Sequence, residues 1–251
     1  MSKLISYYFK RDRWILLAMV GCALLGGLLL WGYTGEESAI GAVTVFVGVA
    51  AFLIGMSVLP LWLCIRDYKR MYGAYGSFFA ALPLTGREAI GGRALWFIIV
   101  ELVAGLSSAA FFVRSVRAET EVRKFFASLL EQPATAYLSG FVILVIVGIL
   151  FAAAVWVFVT SVGSEKPFRR FGIGGPIMLY VGLQVIVNVV TNGAVRLMDV
   201  QRQFIGEQAM AQAVSQLFLR SSLVIAGLML IAAVVLFLRS VYSHDKKLSV
   251  S

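Results

Sequence analysis

Six side chains have types and spacing that could do chemistry inside an apolar medium. Glu101 is an acid set within an apolar run. A carboxylate there either serves a proton or a cationic substrate, or sits paired at a helix contact. Tyr180, Gln184, Asn188, Asn192 and Arg196 recur every four residues. On a helix that spacing keeps them on one slowly drifting face. Such a stripe lines a path for a polar solute or forms a helix seam, because Asn and Gln hydrogen-bond across helices in lipid. Both readings are open from sequence, and in a dimer they are one surface.

Other chemistry is poorly provided for. The single histidine, His244, lies in the C-terminal tail, which excludes Ser-His catalysis and histidine-ligated metal or haem within the apolar runs. The two cysteines, Cys22 and Cys64, lie in or beside apolar runs and are too few for a disulfide framework or a zinc site. The string from Gly86 to Arg93, GREAIGGR, is the nearest approach to a P-loop. It lacks the lysine and the hydroxyl that hold phosphate and magnesium. The Gly-rich string from Phe171 to Pro176 follows no strand, so it is a weak dinucleotide signal. Glu36 and Glu37 read as a solvated turn. The chain is therefore expected not to be an enzyme by itself, and to hold neither a metal nor a cofactor.

The elements that must position these residues are long and oily. Of 251 residues, 60% are hydrophobic and 14% charged, against about 25% charged in a soluble domain. The apolar residues fall into runs at 14–31, 39–65, 94–113, 137–162, 173–195 and 222–238. Each is long enough to cross about 30 Å of hydrocarbon as a helix. In lipid only helices and closed barrels satisfy their own backbone. Barrel strands would alternate over about ten residues, whereas these runs are continuously apolar. The expectation is an all-α membrane protein, one domain over 1–251 with six transmembrane helices. The first run reads as a retained helix, because it is long for a signal peptide and no A-x-A-like cleavage site follows it.

Lys and Arg set the orientation. Fifteen fall on the side of the two termini and the 2–3 and 4–5 connections, and seven on the other. Both termini are thus expected in the cytoplasm. With Asp12, Asp67, Glu88, Glu165 and Asp245 counted on it, the inner face nets +10 and the outer face zero, which leaves Glu101 as the one acid within a span. That basic surface suits anionic lipid and gives no footprint for nucleic acid.

Between the spans, residues 1–13 look like a short interfacial helix, with Leu4, Ile5, Tyr8 and Phe9 among basic residues. A basic flank that merely orients the first helix fits equally well. The connection 66–93 starts strongly basic, then carries an apolar knot, 78–82, before Pro83. Thr85 and Glu88 have the spacing of a capping box at the start of a helix. An aromatic knot in a cytoplasmic loop needs a cover, a partner protein more readily than lipid. Outer segments 114–132 and 196–221 carry apolar residues at helical spacing. They read as interfacial helices or as extensions of the adjoining spans.

With a basic amphipathic N-terminus, six spans, the long 2–3 connection and an outer amphipathic 196–221 segment, the chain resembles the permease subunits of ABC-2 type ABC transporters. The likeness is to the small six-helix bacterial ones that work with a separate ATPase. At residue level it rests on the run from Phe78 to Arg87, which is similar to the family's Leu-Pro-small-polar-Arg segment before span three. The resemblance implies a multi-pass permease of the bacterial cell membrane, an exporter. Two permease subunits, identical or homologous, would pair above two copies of an ABC ATP-binding subunit. ATP and magnesium would be bound by that partner. Phe78, Phe79, Leu82, Pro83, Arg87 and Glu88 would form the coupling element, and Gln184, Asn188 and Asn192 would lie near the dimer seam or path. The outer 3–4 loop, with four basic residues, is longer than the family's layout needs. The alternatives weighed against it are a non-transporting scaffold, immunity or sensor partner, and a membrane-embedded enzyme.

Overall fold

The computed structural model describes residues 2–31, 39–72, 85–118, 134–202 and 210–248. Every regular element among them is helical: α1 (Ser2–Trp31), α2 (Ala39–Leu53), a wide π-type turn (Ile54–Val58), α3 (Leu59–Tyr72), α4 (Gly86–Ala118), α5 (Ala134–Val162), the short α6 (Lys166–Arg169), α7 (Gly174–Arg202), α8 (Met210–Tyr242) and a second wide stretch (Ser243–Leu248).

Five helical stretches among the described residues are long and apolar enough to cross a membrane. They are Leu4–Leu29, Phe46–Tyr72, Gly86–Ala109, Leu138–Val162 and Phe218–Lys246. The chain thus has the make-up of a multi-pass membrane protein. Of the six spans expected, the fifth is the one that falls short. The apolar part of α7 is the shorter Gly174–Val190, because Thr191 and Asn192 and then Arg196 follow it in sequence.

Helix boundaries also differ from the sequence reading. Residues 2–13 and the first span form one continuous helix. The second span runs on through Arg66, Lys69 and Arg70 to Tyr72, where cations favour the C-terminal end of a helix. Of the 66–93 connection, only residues 73–84 fall outside the described residues. Within 196–221, residues up to Arg202 extend α7 and those from Met210 extend α8. In segment 114–132, residues through Ala118 extend α4, and 119–132 lie outside the described residues.

Two compact units divide these elements. The first holds α1, α2, α3 and α4 from Gly91 onward. The second holds the start of α4, through Ile90, with α5 to α8. In the first unit, Tyr8, Ile15, Leu16 and Met19 line one face of α1 and pack with Leu63, Trp96, Val100 and Ala104. Tyr8 stands seven and eight residues before Ile15 and Leu16, and Met19 four and three after them, which keeps all of them on one stripe. Between α2 and α3, Pro60 has no N–H to continue the ladder. The wide turn just before it accommodates that break, the Leu59 N–H bonding the Ile54 carbonyl.

In the second unit, α5 and α8 pack along their length. Ala153, Val157 and Val159 are buried on α5, and Ala226 and Ala233 on α8. A tight turn joins α6 to α7, and Gly172 takes φ 55° there, a conformation glycine adopts without strain.

Candidate functional site

Charged residues in an apolar helical body are expensive and mark where a membrane protein does something specific. In the first unit they cluster. On α1, Asp12 is fully buried. Arg11 Nε donates to both its carboxylate oxygens at 2.8 Å, and Arg11 Nη2 contacts Oδ2. From α3, Arg66 Nη1 approaches Asp12 Oδ1 at 3.1 Å. The next residue, Asp67, is buried and receives Arg93 of α4, through Nε at 2.9 Å and Nη2 at 2.7 Å. Arg93 Nη1 donates to the Tyr72 hydroxyl at 2.9 Å. Arg70 Nη1 donates to the Tyr7 hydroxyl at 3.0 Å.

Aromatic rings wall this lattice. Tyr8 stacks on Trp96 with centroids 5.7 Å apart, and Arg11 lies over the Tyr8 ring at 4.6 Å. The Tyr8 hydroxyl and Asp67 Oδ1 are buried without a hydrogen-bond partner. Away from water, attraction between opposite charges is strong, but so is the cost of stripping each ion of its hydration. Both acids are therefore tied to guanidinium groups. The lattice binds α1, α3 and α4 to one another at one end of the first unit. Nothing in it pairs a nucleophile with a base. Among the described residues, no three His, Cys, Asp or Glu come together to hold a metal.

The second unit has a smaller counterpart. Glu165, at the N-cap of α6, is buried and meets Arg239 Nη2 of α8 at 2.7 Å. Beyond α8, the Ser243 hydroxyl donates to the Ser161 carbonyl at 3.3 Å. Asp245 lies against the start of α4, where a Cβ on Gly86 would collide with its carboxylate. There the expected capping box is present. Glu88 N–H donates to Thr85 Oγ1 at 3.3 Å, while Glu88 Oε2 accepts from Thr85 N–H and Oγ1, each at 3.0 Å. Arg87 and Glu88 are exposed. Phe78, Phe79, Leu82 and Pro83 lie outside the described residues.

Tyr180 of the α7 stripe stacks on Trp156 of α5, 5.0 Å apart and nearly parallel. Gln184, Asn188 and Asn192 belong to the same helix, and the exposed residues Val181, Val185, Ile186, Val189 and Val190 surround them in sequence. Arg196 is in α7, its side chain outside the described residues. Glu101 is on α4, within the apolar stretch Gly86–Ala109.

No family model, no curated protein and no solved structure matches the chain.

The buried lattice is what sequence reasoning missed. Asp12 and Asp67 read as loop charges, and Glu101 as the sole acid in a span. In the structure Asp12 and Asp67 fall inside the apolar stretches Leu4–Leu29 and Phe46–Tyr72. The available signal was an acid embedded in each basic flank, next to an apolar run.

Proposed function

We propose that the chain is the transmembrane subunit of an ATP-driven ABC-2 type exporter, with six spans, both termini in the cytoplasm and a separate ATPase below. In this reading α7 is the sixth crossing, its polar residues offset by a neighbouring subunit. A second copy or a homologous permease covers Gln184, Asn188 and Asn192, and the substrate path runs beside them. An amide in hydrocarbon finds its best partner on another helix.

The observation that carries the reading is that the described residues on either side of 73–84, the stretch whose sequence holds the apolar knot, are each held by specific bonds. Arg93 reaches back to Asp67 and Tyr72 across that segment, and Thr85 and Glu88 cap the helix it enters. A knob on a fixed base transmits force, whereas one on a loose loop dissipates it. A motor gripping Phe78, Phe79, Leu82, Pro83 and Arg87 would therefore drive the ends of α3 and α4.

The test is copurification from the native membrane. The intact chain should bring down a P-loop ATPase in equal amount. Replacing residues 73–84 with a Gly-Ser linker, which leaves Asp67, Tyr72 and Arg93 in place, should lose it. An intact chain that brings down no ATPase sinks the transporter reading. An ATPase retained by the linker variant sinks the coupling assignment alone.

A further inference from the structure

Two tryptophans on the surface of the first unit each carry an arginine on the ring. Trp14 of α1 is 69% exposed, with the Arg13 guanidinium 5.3 Å from its ring centroid. Trp62 of α3 is 49% exposed, with Arg66 at 5.6 Å. Each ring stands where a helix passes from apolar to charged residues. Tryptophan favours that depth in a bilayer, its body in the acyl region and its N–H among headgroups.

The charges beside these rings are not balanced. Lys10, Arg11, Arg13, Arg66, Lys69 and Arg70 face only two acids, Asp12 and Asp67, over the same stretches of α1 and α3. Asp12 is shared between Arg11 and Arg66 and cannot neutralise both. Asp67 is taken by Arg93. Arg66 keeps 28% of its side chain exposed, with donors left over from its bond to Asp12. Exposed apolar residues follow or precede each ring within about one helical turn of sequence, Leu17 after Trp14 and Val58 and Leu61 before Trp62. Each of the two helices thus presents a guanidinium, a flat aromatic ring and exposed apolar residues.

We propose that Arg13, Trp14, Trp62 and Arg66 bind acidic phospholipid. The guanidinium groups take the headgroup phosphate in charge-assisted hydrogen bonds, and the acyl chains lie along Leu17, Val58 and Leu61. A zwitterionic lipid offers the same phosphate with its charge already cancelled, so it binds less well. A protein partner would have to bring its own anions into the apolar zone, which is costly. The proposal does not rest on the transport reading.

Tryptophan quenching by brominated lipid tests it. The full chain is reconstituted in phosphatidylcholine bilayers with equal mole fractions of dibrominated phosphatidylglycerol or dibrominated phosphatidylcholine. Subtracting the signal of a Trp14→Phe/Trp62→Phe variant isolates these two rings. The acidic lipid should quench that difference at lower mole fraction, by about fivefold in apparent affinity for each arginine engaged. Arg13→Gln, which leaves both pairs of Asp12 in place, should lose part of the preference. Adding Arg66→Gln should bring the two lipids to parity. Equal quenching of the intact chain by both lipids overturns the proposal, as does a preference unchanged in both variants. Quenching by neither means that protein covers the rings, and overturns it too.

Discussion

Arg93 and Asp67 meet at 2.7 Å where neither side chain has more than 2% of its surface exposed. They come from the two helices that flank residues 73–84 in sequence, so this pair ties α3 to the part of α4 that lies in the first unit.

Breaking the pair from one side should be costly. Arg93→Met leaves Asp67 buried without its guanidinium bonds, and Asp67→Leu leaves a buried cation short of its counter-charge. Each should cost about 3–5 kcal/mol, whereas an apolar pair of similar volume is often neutral or better. Thermal unfolding in detergent should show both single variants well below the parent and the Arg93→Met/Asp67→Leu double variant partly restored. A double variant no better than the worse single would show that the pair does not act as a unit.

Close packing of α1 on α2 makes a separate prediction. A Cβ on Gly26 would lie 2.6 Å from the Gly48 carbonyl and 3.1 Å from the Phe111 ring. Phe111 cannot easily give way, because it stacks on Phe52 at 3.9 Å. Gly26→Ala should lower the unfolding temperature, and Gly26→Leu should lower it further, at about 1–3 kcal/mol for overpacking. At Gly21 a methyl group would meet nothing within 4 Å, so Gly21→Ala, which gains alanine's helix preference without a clash, is the control and should not lower the unfolding temperature. Equal behaviour of the Gly21→Ala and Gly26→Ala proteins would refute the close approach.

Thr85 and Glu88 allow a local test. Removing the cap with Thr85→Ala should cost about 1 kcal/mol. The loss should appear as faster amide hydrogen exchange in the first turn of α4, with the helix beyond Arg93 unchanged. Unchanged exchange at residues 86–90 would mean that packing of Ala89 and Ile90, both buried, holds that turn without the cap.

What was legible in the sequence was what is local. The apolar runs announce their helices by length alone, and the capping box is visible because its partners are three residues apart. The α7 stripe shows as a recurrence every four residues, but nothing on α7 reveals that Tyr180 lies on Trp156. The buried lattice was illegible for the same reason. Arg93 and Asp67 stand 26 residues apart, and their pairing is decided by how α3 and α4 pack. Orientation counting placed Asp12 and Asp67 in water because they sit among basic residues, and those same residues are what let them be buried.

The wide turn at Ile54–Val58 carries a consequence for everything beyond it. It seats Gly55 against Cys22 of α1, where a side chain would fall 2.7 Å from the cysteine Cβ. Such a turn holds one residue more than a regular helix. Wind the same residues as regular helix and the remainder of the rod rotates by about 100°. Arg66 would swing away from Asp12, and Asp67 would point its charge into oil. A single surplus residue, absorbed in the wide turn and not passed along the helix, thus acts as the phase setting for the charge lattice.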